Sequence, residues 1–163
     1  MLSMKMEKAI EDQVQAEFFS AYMYLGMSLY CEGKLLKGMA HWLRLQYEEE
    51  REHAQKMIDY LVERGSTPQL KDIAASKADF ETPLALFEKV LGHEQHVTSL
   101  IHKLYEMALA EKDYATQIFL QWFITEQVEE EDNAGEIVDK LRLIGDDRAA
   151  LWVLDAALGK RKD

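Results

Sequence analysis

The chain has 163 residues, one cysteine, two prolines and eight glycines. That length suits a single domain (1–163) with a core large enough to fold without disulfides or a structural metal. A formal net charge of −11 argues against nucleic-acid binding, which needs a basic face, and favours small cations instead. No segment approaches the roughly 20 apolar residues of a membrane span. Residues 1–8 lack the apolar stretch of a signal peptide, and the lone Cys31 cannot form an intramolecular disulfide, so a reducing, cytoplasmic location is expected.

Helix formers dominate, and five helices are expected in chain order. The first runs from about Met4 to Glu32, capped by Ser3 and stopped by Gly33. The second runs from about Lys37 to Arg64 and stops at Gly65. A long connection of mixed polarity follows, Ser66 to Thr82. Thr82-Pro83 then pairs a capping hydroxyl with proline at the first helical position, opening a third helix to about Glu111. Asp113 caps a fourth helix ending at Gly145, and Asp146 caps a short fifth that ends near Gly159.

Four long helices of matched length predict an all-α four-helix bundle. The short first and third loops make each flanking pair antiparallel. The middle connection reaches up to ~56 Å when extended, enough to travel the length of the bundle. The second and third helices then run parallel, giving an up-down-down-up topology with a long crossover.

Each long helix carries an apolar stripe at spacings of three and four, and each stripe is interrupted by polar residues. The interruptions are Glu17 in the first helix, Gln46, Glu50 and His53 in the second, Glu94 in the third, and Gln127 and Glu130 in the fourth. Burying a lone carboxylate costs several kcal/mol unless it is paired or bound to a metal. Depth tests for a shared cause. Counted back from Glu32, Glu17 lies roughly four helical turns from the first loop; counted on from Lys37, Glu50 and His53 lie roughly four turns from the same loop. Glu94, counted back from Glu111, and Gln127 and Glu130, counted on from Tyr114, lie roughly four to five turns from the loop between the third and fourth helices. Glu17, Glu50, His53, Glu94, Gln127 and Glu130 can therefore converge on one layer. Singly, each has an ordinary reading: a surface glutamate, a hydrogen-bonded core histidine, or a solvated acidic run at Glu48–Glu50 and Glu129–Asp132. Jointly they predict a metal site. A hard, oxygen-rich donor set with one imidazole suits iron or manganese, and zinc would bind without redox chemistry.

With these residues in place, the chain resembles the bacterial and archaeal non-haem ferritins over its whole length. The resemblance rests on Glu17, Glu49-Glu50-x-x-His53, Glu94, Glu126-Gln127-x-x-Glu130, the crossover and the short fifth helix. It implies ferroxidase activity, iron storage and two iron ions per subunit. Glu17, Glu50 and His53 would hold the first; Glu50 would bridge to the second, completed by Glu94 and Glu130, with Gln127 beside it. Glu49, Glu126, Glu129 and Glu130 match a third, looser iron site. Tyr24 matches a tyrosine that hydrogen-bonds a ligand or supplies an electron, and Trp122 is a further electron-donor candidate. Trp42 and Trp152 read as packing residues.

Dioxygen or hydrogen peroxide would accept the electrons. The implied assembly is an octahedral shell of 24 subunits, with the fifth helix lining a four-fold channel. Haem is not expected: where haem-binding relatives place a methionine on the outer face of the second helix, this chain has Glu52. The second Glu-x-x-His of other carboxylate di-iron proteins is replaced by Gln127-x-x-Glu130. The rival readings are a non-catalytic metal-binding helical oligomer and a di-iron oxidase of an organic substrate.

Overall fold

The protein is described by a computed structural model covering residues 2–76 and 78–162. Helix α1 spans Met4–Gly33, α2 Lys37–Glu63, α3 Pro83–Glu111, α4 Tyr114–Ile144 and α5 Arg148–Leu158. No strand occurs among the described residues. Nor is any helix among them long and apolar enough to cross a membrane.

The expected caps form where serine, threonine or aspartate can reach the orphan amides of a first turn. Ser3 Oγ accepts from Met6 N at 3.0 Å, and Thr82 Oγ1 accepts from Ala85 N at 3.1 Å. Asp113 Oδ1 accepts from Thr116 N at 3.2 Å, while its carboxylate also takes a two-pronged ion pair from Arg64.

One local expectation needs correction. The cap of α5 is Asp147, not Asp146: Asp147 Oδ1 lies 2.9 Å from Ala149 N and 3.1 Å from Ala150 N. The turn after Gly145 takes up Asp146 first, which moves the cap one position on. Gly33 ends α1 as expected, and the chain takes up the left-handed conformation only after it. That conformation falls on Leu35 (φ +64°), and on Lys112 (φ +56°) after α3.

Long-range hydrogen bonds fix the topology. Ser3 at the start of α1 meets Glu111 at the end of α3, so those helices are antiparallel. Arg64 beyond the end of α2 meets Asp113 just before α4, so those two are antiparallel as well. With Ser28 bonded to the Ala40 carbonyl across the first loop, α1 and α2 oppose each other, and α2 and α3 run parallel. The crossover lies against α1 in the direction of α1. Gln69 N donates to Glu11, Lys71 pairs with Asp12, Gln15 donates to the Asp72 carbonyl, and Tyr30 donates to the Phe80 carbonyl. It thus carries the chain back along the bundle to where α3 begins.

The core comes in two parts. One apolar cluster joins the second half of α1 (Met23, Met27, Cys31) to Leu43, Phe87, Val138 and the leucines of α5. The other joins Met6 and Ile10 to Met57, Ile101 and Phe123 at the opposite end. Between them lies the polar layer. Leu154 is buried, and Leu151 and Leu158 pack against the first cluster, so the leucine face of α5 is covered by its own bundle. Trp152, expected to pack, is 66% exposed on the other face of α5, beside the exposed Val153. Trp42 is buried against Phe87.

Candidate metal centre

Glu17, Glu50, His53, Glu94, Gln127 and Glu130 are all buried, each at most 5% exposed. All four long helices contribute, because a repeat of three and four keeps each stripe facing the bundle axis. Glu17, Glu50 and His53 each present a donor atom, and these atoms lie within 4.8 Å of one another. His53 Nδ1 is 3.7 Å from Glu50 Oε2. Two oxygens here, Glu17 Oε2 and Glu50 Oε2, are buried without any hydrogen-bond partner. Buried carboxylate oxygens almost always find a donor, so an unmet pair facing an imidazole marks a place for a cation. No lysine or arginine is buried among the described residues to balance the charge.

The other half of the layer is held by neutral donors. Tyr24 donates its hydroxyl to Glu94 Oε1. Gln127 Nε2 lies 3.3 Å from Glu94 Oε2 and 3.2 Å from the Glu94 carbonyl. Gln46 Nε2 donates to Glu130 Oε2 at 2.7 Å, and Gln13 Nε2 donates to Glu17 Oε1 at 2.9 Å.

Crowding of carboxylates in a dry core raises their proton affinity. Burial, then Glu17 and Glu94, pushes Glu50 well above the usual carboxylate range. Burial lifts Glu94 to about 7 despite the opposing hydrogen bonds from Tyr24 and Gln127. Burial, then Glu94 and Glu49, lifts Glu130 to about 8. Tyr24 is likewise raised far above the ordinary tyrosine value by burial and by Glu94, so it stays protonated and keeps its proton for Glu94. Perturbation of this kind, clustered at one depth, is characteristic of a functional site.

The four residues matched to a third site are less gathered. Glu49 and Glu126 line a groove of about 490 Å³ between α2 and α4, with Glu52, His53, Lys56 and Trp122. Glu129 is exposed and lines a separate depression on α4 with Val128 and Asp132. Among the described residues, Glu17, Glu50 and His53 form the only set of three that brings its donor atoms within 4.8 Å. Trp122 sits edge-on to His53, ring centroids 5.3 Å apart, with the Lys56 ammonium 4.2 Å from its own ring centroid.

Several participants escaped the sequence reading. Gln13 is one turn before Glu17, a spacing that a search for polar partners along the same face would have found. Buried His93, with Nε2 2.7 Å from Ser20 Oγ, stands behind Tyr24 and off the stripe. Burial and the nearby Lys89 and His96 lower it to about 4, which keeps it neutral. Arg161, in the basic tail, reaches Gln46 and both oxygens of Glu49; only the folded chain brings these together.

The Ferritin-like domain model of the Ferritin family matches residues 7–144, which include every residue of this layer. This chain belongs to the ferritin family. Among its relatives, a bacterial non-heme ferritin of Bacteroides fragilis is 44% identical over 161 residues, spanning 99% of this chain and 100% of its own length. One from Staphylococcus aureus is 40% identical over 161 residues, spanning 99% of this chain and 97% of its own length. A crystal structure of an open pore ferritin from the hyperthermophilic archaeon Archaeoglobus fulgidus superposes with a TM-score of 0.98. It shares 48% sequence identity and covers 99% of this chain and 100% of that one. The ferritin fold accounts for α5 and the crossover as well as the bundle.

Proposed function

We propose that this ferritin chain oxidises Fe(II) at the buried carboxylate layer and stores the ferric product inside a shell built from copies of itself. The observation that carries the reading is the pair of partnerless buried oxygens on Glu17 and Glu50, facing His53 in a core with no buried cationic side chain among the described residues. The full-length likeness to non-heme ferritins supports iron as the cation.

One Fe(II) is held by Glu17, Glu50 and His53. Glu50 bridges to a second, held also by Glu94 and Glu130, with the Gln127 amide placed to orient oxidant or water. Four glutamates supply about the charge that two divalent cations neutralise, and metal entry displaces the protons these carboxyls hold. Each Fe(II) gives up one electron, and dioxygen or hydrogen peroxide accepts the pair. Hard carboxylate oxygens stabilise the ferric state and so drive oxidation. The product leaves towards the Glu49 and Glu126 groove, the looser third site, where Glu129 on the neighbouring face of α4 adds further acidic charge. Trp122 against His53 is an electron-donor candidate. The shell is octahedral, of 24 subunits, and the exposed Trp152–Val153 face of α5 is available for contact near its four-fold channel.

Mixing anaerobic apo-protein with two Fe(II) per subunit and admitting air tests this. Fast growth of ferric absorbance in wild type but not in Glu50→Ala, continuing to a soluble mineral as iron is added, is the expected result. Iron binding with oxidation no faster than in buffer would sink it and leave a metal-binding oligomer.

A further inference from the structure

The basic segment after α5 reaches the acidic groove through Arg161. One guanidinium nitrogen of Arg161 lies 2.7 Å from both carboxylate oxygens of Glu49, and the other nitrogen donates to Gln46 Oε1. The guanidinium carbon is 4.9 Å from the centroid of the Trp42 ring, and the Arg161 carbonyl is 3.0 Å from His41 Nε2. Arg161 is anchored on three sides, its guanidinium donating to the Glu49 carboxylate through one nitrogen and to the Gln46 amide through the other while lying against Trp42. Gln46 in turn is fully buried and donates to Glu130. A continuous chain therefore runs from the tail, through one amide, to a carboxylate of the buried layer. Glu49 also faces the groove that holds His53 and Glu126.

We propose that Arg161 occupies the place of a cation at Glu49, so that the C-terminal tail competes with metal for the groove and, through Gln46, positions Glu130. This deepens the proposed function and rests on it. While Arg161 is on Glu49, that carboxylate is satisfied and unavailable as a ligand. A divalent ion entering or leaving through the groove must displace the guanidinium. Weak retention of metal in the groove follows, which suits a passage for product. Arg161 touches neither Glu17 nor His53, so it is a positioning residue whose influence falls on Glu49 and Glu130.

The test is anaerobic Fe(II) titration calorimetry on the assembled protein, comparing wild type, Arg161→Gln, Glu49→Gln and the double variant, with Arg161→Lys as the conservative control. The expected result in Arg161→Gln is an unchanged Glu17–Glu50–His53 site, weaker binding at Glu130, and a groove site tightened about threefold, the order a partly exposed ion pair supplies. That gain disappears in the Glu49→Gln background, because the competition needs both partners. Lysine, which keeps the charge but loses the fork, restores part of the wild-type behaviour. An unchanged groove site in Arg161→Gln, or a gain that persists without Glu49, overturns the inference while leaving inner binding and the proposed function intact. Absence of inner-site Fe(II) binding in wild type overturns both.

Discussion

Tyr24 reaches from α1 to Glu94 on α3 and donates its hydroxyl to a carboxylate in the centre of the bundle. The phenol stays protonated because burial and Glu94 both oppose its ionisation. Glu94 is thereby held in one orientation by a donor that does not titrate under ordinary conditions. Tyr24→Phe should leave the helices packed and slow Fe(II) oxidation by about 10- to 100-fold, the usual cost of losing a partner that orients a ligand. Stopped-flow absorbance reads the rate, and circular dichroism checks the fold. An undiminished rate would assign Tyr24 to packing.

Glu50 is the most crowded carboxylate of the layer, with Glu17, Glu94 and Glu130 all raising its proton affinity. Replacing it by glutamine keeps the shape and removes a group that must take up a proton or bear a buried charge on folding. Apo Glu50→Gln should melt higher than wild-type apo-protein, by the equivalent of about 1–3 kcal/mol, since folding the wild type at neutral pH must either protonate this carboxyl or bury its charge. Metal should then stabilise the variant much less than it stabilises wild type. Melting curves with and without Zn(II) measure both effects, and a lower apo melting temperature would contradict them.

The pH dependence follows from Glu94 and Glu130, raised from 4.5 to about 7 and about 8. A folded pKa above the unfolded one means the native state holds protons that the unfolded chain has released. Their contribution to stability is complete below about pH 4.5 and is lost as pH rises through the folded values. The apo melting temperature should therefore fall between about pH 5 and pH 9, and Glu130→Gln should flatten the fall. Metal loading near pH 7 should release protons, detectable in weakly buffered solution. A melting temperature that climbs across this range would refute the assignment.

Gly38 lets α5 dock on the start of α2. A Cβ there would lie 1.6 Å from the Asp155 carbonyl oxygen, and Asp155 itself caps α2 by accepting from Gly38 N at 3.1 Å and Met39 N at 2.8 Å. Gly38→Ala should displace α5 and cost about 2 kcal/mol or more, by loss of the cap and of leucine burial. Gly92→Ala, where a Cβ meets nothing within 4 Å, should be neutral or stabilise by up to about 1 kcal/mol. Thermal melting and limited proteolysis near Gly145 separate the two. Equal behaviour of the two variants would show that the α5 contact contributes little.

Much of this was legible in the sequence, because helical periodicity encodes depth as well as direction. The polar residues that interrupt the four stripes all proved buried, and Glu17, Glu50 and His53 meet as their distances from the first loop required. Periodicity does not encode contacts between distant segments. Asp155 on Gly38, Arg161 on Glu49, and Lys71 on Asp12 depend on where α5, the tail and the crossover fold back. The left-handed residues Leu35 and Lys112 were equally unreadable, since nothing but loop closure puts a side chain there. Glu129 was named for its neighbours in sequence, yet its place on the helix turns it outward.

The split core has a mechanical consequence. Two greasy ends are joined by a waist of buried carboxyls whose proton affinity is raised, so the metal-free bundle is tied more firmly at its extremities than at its middle. Such a barrel is expected to open locally at the waist before its ends. Amides at mid-helix should exchange faster than those a few turns away, the reverse of ordinary fraying. Slowing of that mid-helix exchange when Zn(II) is added would show metal acting as a cinch on the waist, with neither end of the bundle coming apart.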